Sequence, residues 1–232
     1  MKARLTRDGF SKRLKTLIKT RDEMEKNVND LHVRLQRGNK KTGINCFTVS
    51  LLPIIDCCNC KECKHDCYDM NNDMRYPSVI KDRAKNSVIH KLDKERYWNE
   101  IDIQIKANFI RELRLNVGGD LDYEDLFFVA EIGRNNPKTK VLFFTKNYDG
   151  INKFLEENAF PENVHPILSA WKGVKIDNPH NIPCSHVLYE DGSTTAPSYG
   201  AYYCTGNCSE CSFNEEGCWT LKNGEHVIFH VH

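Results

Sequence analysis

"ELRLNVGGDLDYEDLFFVAEIG", residues 112–133, decides the fold class. Residues 112–117 alternate polar and apolar, as a short strand with one buried face does. Gly118 and Gly119 interrupt that pattern, and "YEDLFFVAEIG" then places apolar residues at helical spacing, with Gly133 expected to close the helix. A strand, a glycine turn and a helix in that order make one β/α unit. One more follows, "KVLFFT" (140–145) with "DGINKFLEEN", and then two further strands, "HPILSAW" (165–171) and "CSHVLY" (184–189). Strand starts near 112, 140 and 165 are spaced by 28 and 25 residues, the length of such units. The expectation is an α/β fold with a parallel sheet or a partial (β/α) barrel. Functional residues of such folds sit at the C-terminal ends of the strands.

Upstream, "INCFTVSLL" from Ile44 is a strand leading directly into "CCNCKECKHDCY" (57–68), which holds five cysteines. One helix is expected over 80–109, burying Val88, Leu92, Trp98, Ile101, Ile105 and Phe109. Residues 1–40 read as one long basic helix ended by Gly38. Its seam comprises Phe10, Leu14, Leu17, Met24, Val28, Leu31 and Leu35, with Arg21 as the interruption. That seam suits either a coiled-coil homodimer or docking on the chain's own body, and docking is the plainer use. The body spans 41–190. Residues 191–232 form a cysteine-rich extension that ends in the alternating strand "HVIFHVH".

Charge divides along the chain. Residues 1–43 carry 13 Lys/Arg against 5 Asp/Glu, and the remainder 20 against 27. A basic segment ahead of an acidic body admits a nucleic-acid contact through residues 1–37, against the commoner case of a solvated basic face. The start, "MKARLTRDGF", has no apolar core of a signal peptide, and no run approaches a membrane span. A cytoplasmic location is therefore expected, with no membrane partner. Eleven cysteines in a reducing compartment suit metal better than disulfides.

The tail spaces Cys204, Cys208, Cys211 and Cys218 as C-x3-C-x2-C-x6-C, enough thiolates to close one tetrahedral metal or a cubane cluster. Zinc is the alternative to iron–sulfur here. The first cluster offers Cys57, Cys58, Cys60, Cys63 and Cys67, with Cys46 on the strand before it. It stands on the same rim as "NVGGDL" (116–121), where two glycines permit close approach of backbone to a ligand. Alone, Gly-Gly-Asp is usually a turn.

A cysteine loop after strand one and a Gly-Gly-acid turn after strand two resemble the layout of radical S-adenosylmethionine enzymes. That resemblance implies a partial barrel of that type, with three cysteines holding an open [4Fe–4S] cluster. S-adenosylmethionine would bind the free iron, and an external electron donor would be needed. Asn116, Gly118, Gly119 and Asp120 would then face the cosubstrate, Asp120 standing where those enzymes have glutamate. The usual C-x3-C-x2-C spacing is absent from 57–67 and occurs instead at Cys204, Cys208 and Cys211. More narrowly, the chain resembles the phage and mobile-element family known as gene product 88. The likeness rests on "KTGINCFTVSLLP", "CY" at Cys67–Tyr68, "LRLNVGGDLDYEDL", "FFTKN" (143–147) and the terminal "CW" and "VIFHVH". It covers roughly residues 40–232 and leaves the N-terminal helix outside.

On that resemblance, Cys57, Cys63 and Cys67 are the open set, and Cys58 and Cys60 are extra. The tail four are a closed second cluster. Lys146, ending a strand on the rim, could meet a carboxylate or phosphate, although a solvent-facing lysine is commoner there. Tyr68 could shield the cluster or touch an adenine, with packing as the equal alternative. His65 is a reserve ligand, while His230 and His232 read as surface residues of the last strand. No catalytic side chain or substrate is indicated. The competing reading is a non-catalytic iron–sulfur or zinc module that meets nucleic acid or a protein through its basic helix.

Overall fold

The computed structural model describes residues 7–39, 42–60, 63–64, 67, 69–70 and 76–230. Tyr68, His65 and His232 lie outside the described residues. The strands are β1 (Cys46–Val49), β2 (Glu112–Leu115), β3 (Lys140–Thr145), β4 (Val164–Ser169), β5 (Cys184–Leu188), β6 (Ala201–Tyr203) and β7 (His226–His230). They form one seven-stranded sheet in the order β1-β2-β3-β4-β5-β7-β6. Every pairing is parallel, starting from Cys46 opposite Glu112 and Glu112 opposite Lys140. The α/β class and the parallel sheet read from the sequence are therefore present.

The helices are α1 (Arg7–Glu25), α2 (Pro77–Leu92), α3 (Lys94–Ala107), α4 (Tyr123–Asn135), α5 (Tyr148–Glu157) and α6 (Cys208–Phe213). Strands laid side by side in chain order, joined by right-handed crossovers, must carry their connecting helices on one face. Side chains agree. Leu113, Leu115, Val141 and Phe143 point into a core with Trp98, Ile101, Leu126, Val129, Ile151 and Phe154. Their neighbours in the alternation, Cys46 and Leu142, point the other way into a second cluster with Ile167, Cys211 and Trp219. The opposite face of the sheet is thus covered by the cysteine-rich tail.

Four expectations are corrected. The N-terminal helix does not run to Gly38 but stops at Glu25, followed by a short 3-10 turn at Val28–Asp30. Asn27, Asn29 and Asp30 account for the stop, since short polar side chains compete with helical backbone bonds. Beyond it the chain is extended, and Gln36 bridges antiparallel to Thr48 on the edge of β1. The seam still docks within the chain: Leu17 is buried with Leu52, Met70, Ile80 and Ala84, and Leu31 and Val33 join the main core. Arg21, its interruption, lies within electrostatic reach of the buried carboxylate of Asp56. No helix among the described residues is long and apolar enough to cross a membrane.

The helix expected over 80–109 is two. Asp93 ends α2 and caps α3, its side chain accepting from Arg96 N at 3.0 Å. Leu92 and Phe109, which one continuous helix would bury, are 48% and 83% exposed. Gly133 does not close α4 but lies within it, where a Cβ would come 2.5 Å from Val164 Cγ2. The tail supplies an unforeseen strand, β6, that pairs outside β7.

Candidate metal centres

The parallel order brings the ends of β1, β2 and β3 together, and the first cysteine loop is bonded to all of them. Asn116 N donates to Val49 O at 2.8 Å, Leu51 N to Gly118 O at 2.9 Å, and Asp120 N to Asp56 O at 2.9 Å. Farther along the loop, Cys58 Sγ donates to Leu121 O at 3.5 Å and Asn59 Nδ2 to Lys146 O at 3.2 Å. The glycine pair is required by packing. A Cβ on Gly118 would lie 2.5 Å from both Arg83 Nη1 and Asp69 Oδ2, a buried ion pair 3.0 Å long. Gly119 takes φ +85° against Leu51, and Asn116 takes φ +48° with its buried Nδ2 unpartnered.

The thiols of the loop are not equivalent. Cys60 lies near both Cys57 and Cys63 and is acted on by each of them. The Cys63 thiol is pulled down to about 6, first by Cys60 and then by the nearby Lys146 ammonium. Burial pushes Cys67 up to about 12, against backbone N–H groups of Met70 and Asp69, and it packs beside the α1–α2 cluster. Cys58 is exposed and turned to Leu121. The structure therefore brings Cys60, set aside on sequence grounds, between Cys57 and Cys63. A signal for it was available: Cys57, Cys60, Cys63 and Cys67 are spaced C-x2-C-x2-C-x3-C, the ligand run of bacterial ferredoxins.

Asp120 serves the rim. Its carboxylate accepts from Lys146 N at 3.0 Å and Leu121 N at 2.8 Å, fixing the start of the β3 loop against β2. Burial nonetheless holds its pKa above the usual carboxylate range. Lys146 Nζ lies 5.6 Å from the Trp171 ring centroid and acts electrostatically on Cys63.

The tail thiols line one recess with Arg114, Phe144 and Trp219 on the face of the sheet that the tail covers. Trp219 Nε1 donates to Cys208 O at 2.8 Å, and Ser209 N to Thr42 O at 3.1 Å, which fastens α6 to the entry of β1. Each sulfur has its own neighbours. Arg114 Nη1 lies 3.8 Å from Cys208 Sγ, Gly206 N 3.4 Å from Cys204 Sγ, and Thr205 Oγ1 3.4 Å from Cys211 Sγ. Burial raises the Cys218 thiol, and Cys204, Cys208 and Cys211 act on it in turn. Cys46 belongs here rather than to the first loop: it is fully buried, and burial pushes it up to about 12 with Cys208 and Arg114 beside it.

All eleven cysteines are free thiols. A tetrahedral zinc with Zn–S bonds of about 2.3 Å holds its sulfurs about 3.8 Å apart. Among the described residues only His90, Asp122 and Asp125 place three ligand atoms within 4.8 Å of one another, so neither thiol set has that compactness. A cubane cluster, a larger body, takes its thiolates from wider apart. The His90 trio is a structural clamp. Asp122 and Asp125 form the capping box of α4, Trp98 and His90 bond to Asp125 Oδ1, and the Lys94 ammonium sits 2.6 Å from Asp122 Oδ2. The exposed face of α1 mixes Lys15 and Lys19 with Asp22 and Glu23, and Lys26 follows just beyond its end. His230 is exposed on β7.

A family model described as gene product 88 matches residues 16–205, most of the chain. The chain belongs to that family. The match starts within α1, earlier than the sequence motifs placed it, and stops after Cys204. No curated protein and no solved structure matches.

Proposed function

We propose that this gene product 88 family member is a two-centre iron–sulfur protein of the radical S-adenosylmethionine kind. Its first loop would hold an open [4Fe–4S] cluster that binds S-adenosylmethionine, and its tail a closed one. The observation that carries the reading is the rim: three adjacent thiols and a Gly-Gly-Asp turn on neighbouring parallel strands, tied backbone to backbone. Strands wound in chain order with helices on one face also match an arc of a β/α barrel. The free thiols of both sets are available as metal ligands.

Cys57, Cys60 and Cys63 are the three ligands in this reading, and Cys67 remains a packed thiol. When bound, the cluster supplies one electron to the sulfonium of S-adenosylmethionine. The chain's own residues do the rest. Lys146 offsets negative charge beside Cys63, and Asp120 holds Lys146 in place through its backbone N–H. The buried, unpartnered Asn116 amide leaves a donor for the polar end of the cosubstrate.

Anaerobic reconstitution should yield a brown protein with about eight irons, four for each of two cubane clusters. With dithionite and S-adenosylmethionine it should release 5′-deoxyadenosine. Full iron loading without that product overturns the catalytic reading.

A further inference from the structure

The tail recess contains a charge that a closed cluster does not need for ligation. Arg114 projects from β2 onto the face that the tail covers, and its guanidinium stacks 4.9 Å from the Phe144 ring centroid and reaches Cys208 Sγ at 3.8 Å. Glu112 is two residues earlier on the same face and accepts from Ser209 Oγ at 2.9 Å, beside Cys208. Both charges are carried by a central strand of the sheet, so their positions relative to the tail are fixed.

Resting on the iron–sulfur reading above, we infer that Arg114 is the charge-tuning residue of the tail centre, raising its reduction potential by offsetting the negative charge of the thiolate-bound cluster. Cluster potentials respond to net charge, to hydrogen bonds on the sulfurs and to solvent exposure. Arg114 supplies the first two at once. The side chain is partly buried behind Phe144, so its field is screened less than that of a surface lysine. Arg114 lines the same recess as Cys204, Cys208, Cys211 and Cys218. Arg114 is a positioning residue in this account. It touches the ligands and not the reacting atoms.

The test is an anaerobic redox titration of the full chain followed by electron paramagnetic resonance, the tail signal being the one lost in Cys211→Ala. Arg114→Gln should keep the iron content and lower the tail potential. The expected size is at least a tenfold change in the oxidised-to-reduced ratio at fixed potential, about 59 mV for a one-electron couple. Arg114→Lys should restore most of the shift. Glu112→Gln, which removes a negative charge but keeps the acceptor for Ser209, should move the potential the other way. If Arg114→Gln fails to load, the Lys and Glu112 variants still decide, and an unmoved potential in Glu112→Gln overturns the inference. A loaded Arg114→Gln protein with wild-type potential overturns it alone. A wild-type chain that takes up no iron overturns the iron–sulfur reading and this inference together.

Discussion

The two thiol regions are built in opposite ways. The tail thiols are set in a packed face of the sheet, with Cys211 and Trp219 buried against Cys46, Leu142 and Ile167. The first loop carries its thiols at the ends of strands and is held by individual backbone and amide bonds to β2 and β3. A metal bound in the tail would be part of the fold, its binding energy coupled to stability. A metal bound in the first loop would instead sit on a rim held by backbone bonds to neighbouring strands. The lesson is that cysteine density alone does not separate a structural centre from a reactive one. The burial of what surrounds it does.

The comparison breaks most decisively on the first loop's function. Cys63→Ala should remove 5′-deoxyadenosine formation to background, measured by chromatography, while thermal unfolding moves by only a few degrees. A fall in Tm as large as that of a tail variant would erase the distinction. Next comes Cys211→Ala, which should lose about half the iron and lower stability by several kcal/mol, since a ligand and a core contact go together. Differential scanning calorimetry of the loaded protein checks it.

Gly118→Ala sharpens the role of the rim. A Cβ 2.5 Å from the Arg83–Asp69 pair should cost about 3 kcal/mol by denaturant unfolding, because a buried ion pair must shift. The smallest contrast lies within the loop. Cys60→Ala should lose the first centre's iron, whereas Cys58→Ala should leave both iron and product formation unchanged. Equal losses in the two would return the ligand assignment to spacing alone.

Much of the scaffold was legible because β2, β3 and β4 follow one another at β/α spacing, β2 as a simple alternation and β3 as a short apolar run. The rim was legible for the same reason, since parallel strands in order bring Cys57–Cys67, Gly118–Asp120 and Lys146 together. What escaped depended on packing partners. The seam of α1 continued in pattern to Leu35, but Asn27, Asn29 and Asp30 end the helix, and Leu31 and Val33 reach the core from extended chain. Cys46 looked like a member of the loop it precedes. Alternation aims it at the opposite face from its neighbour Phe47, and the sequence does not say that the tail covers that face. Cys60 was set aside by comparison with one motif, although its spacing fits another.

The central claim is that the first loop holds a cluster with one iron free while the tail is closed. Electron paramagnetic resonance of the reduced, fully loaded protein, with and without S-adenosylmethionine, tests it most directly. The account predicts two signals, of which the one lost in Cys63→Ala shifts on adding S-adenosylmethionine while the tail signal stays unchanged. Two signals that both ignore S-adenosylmethionine would contradict it.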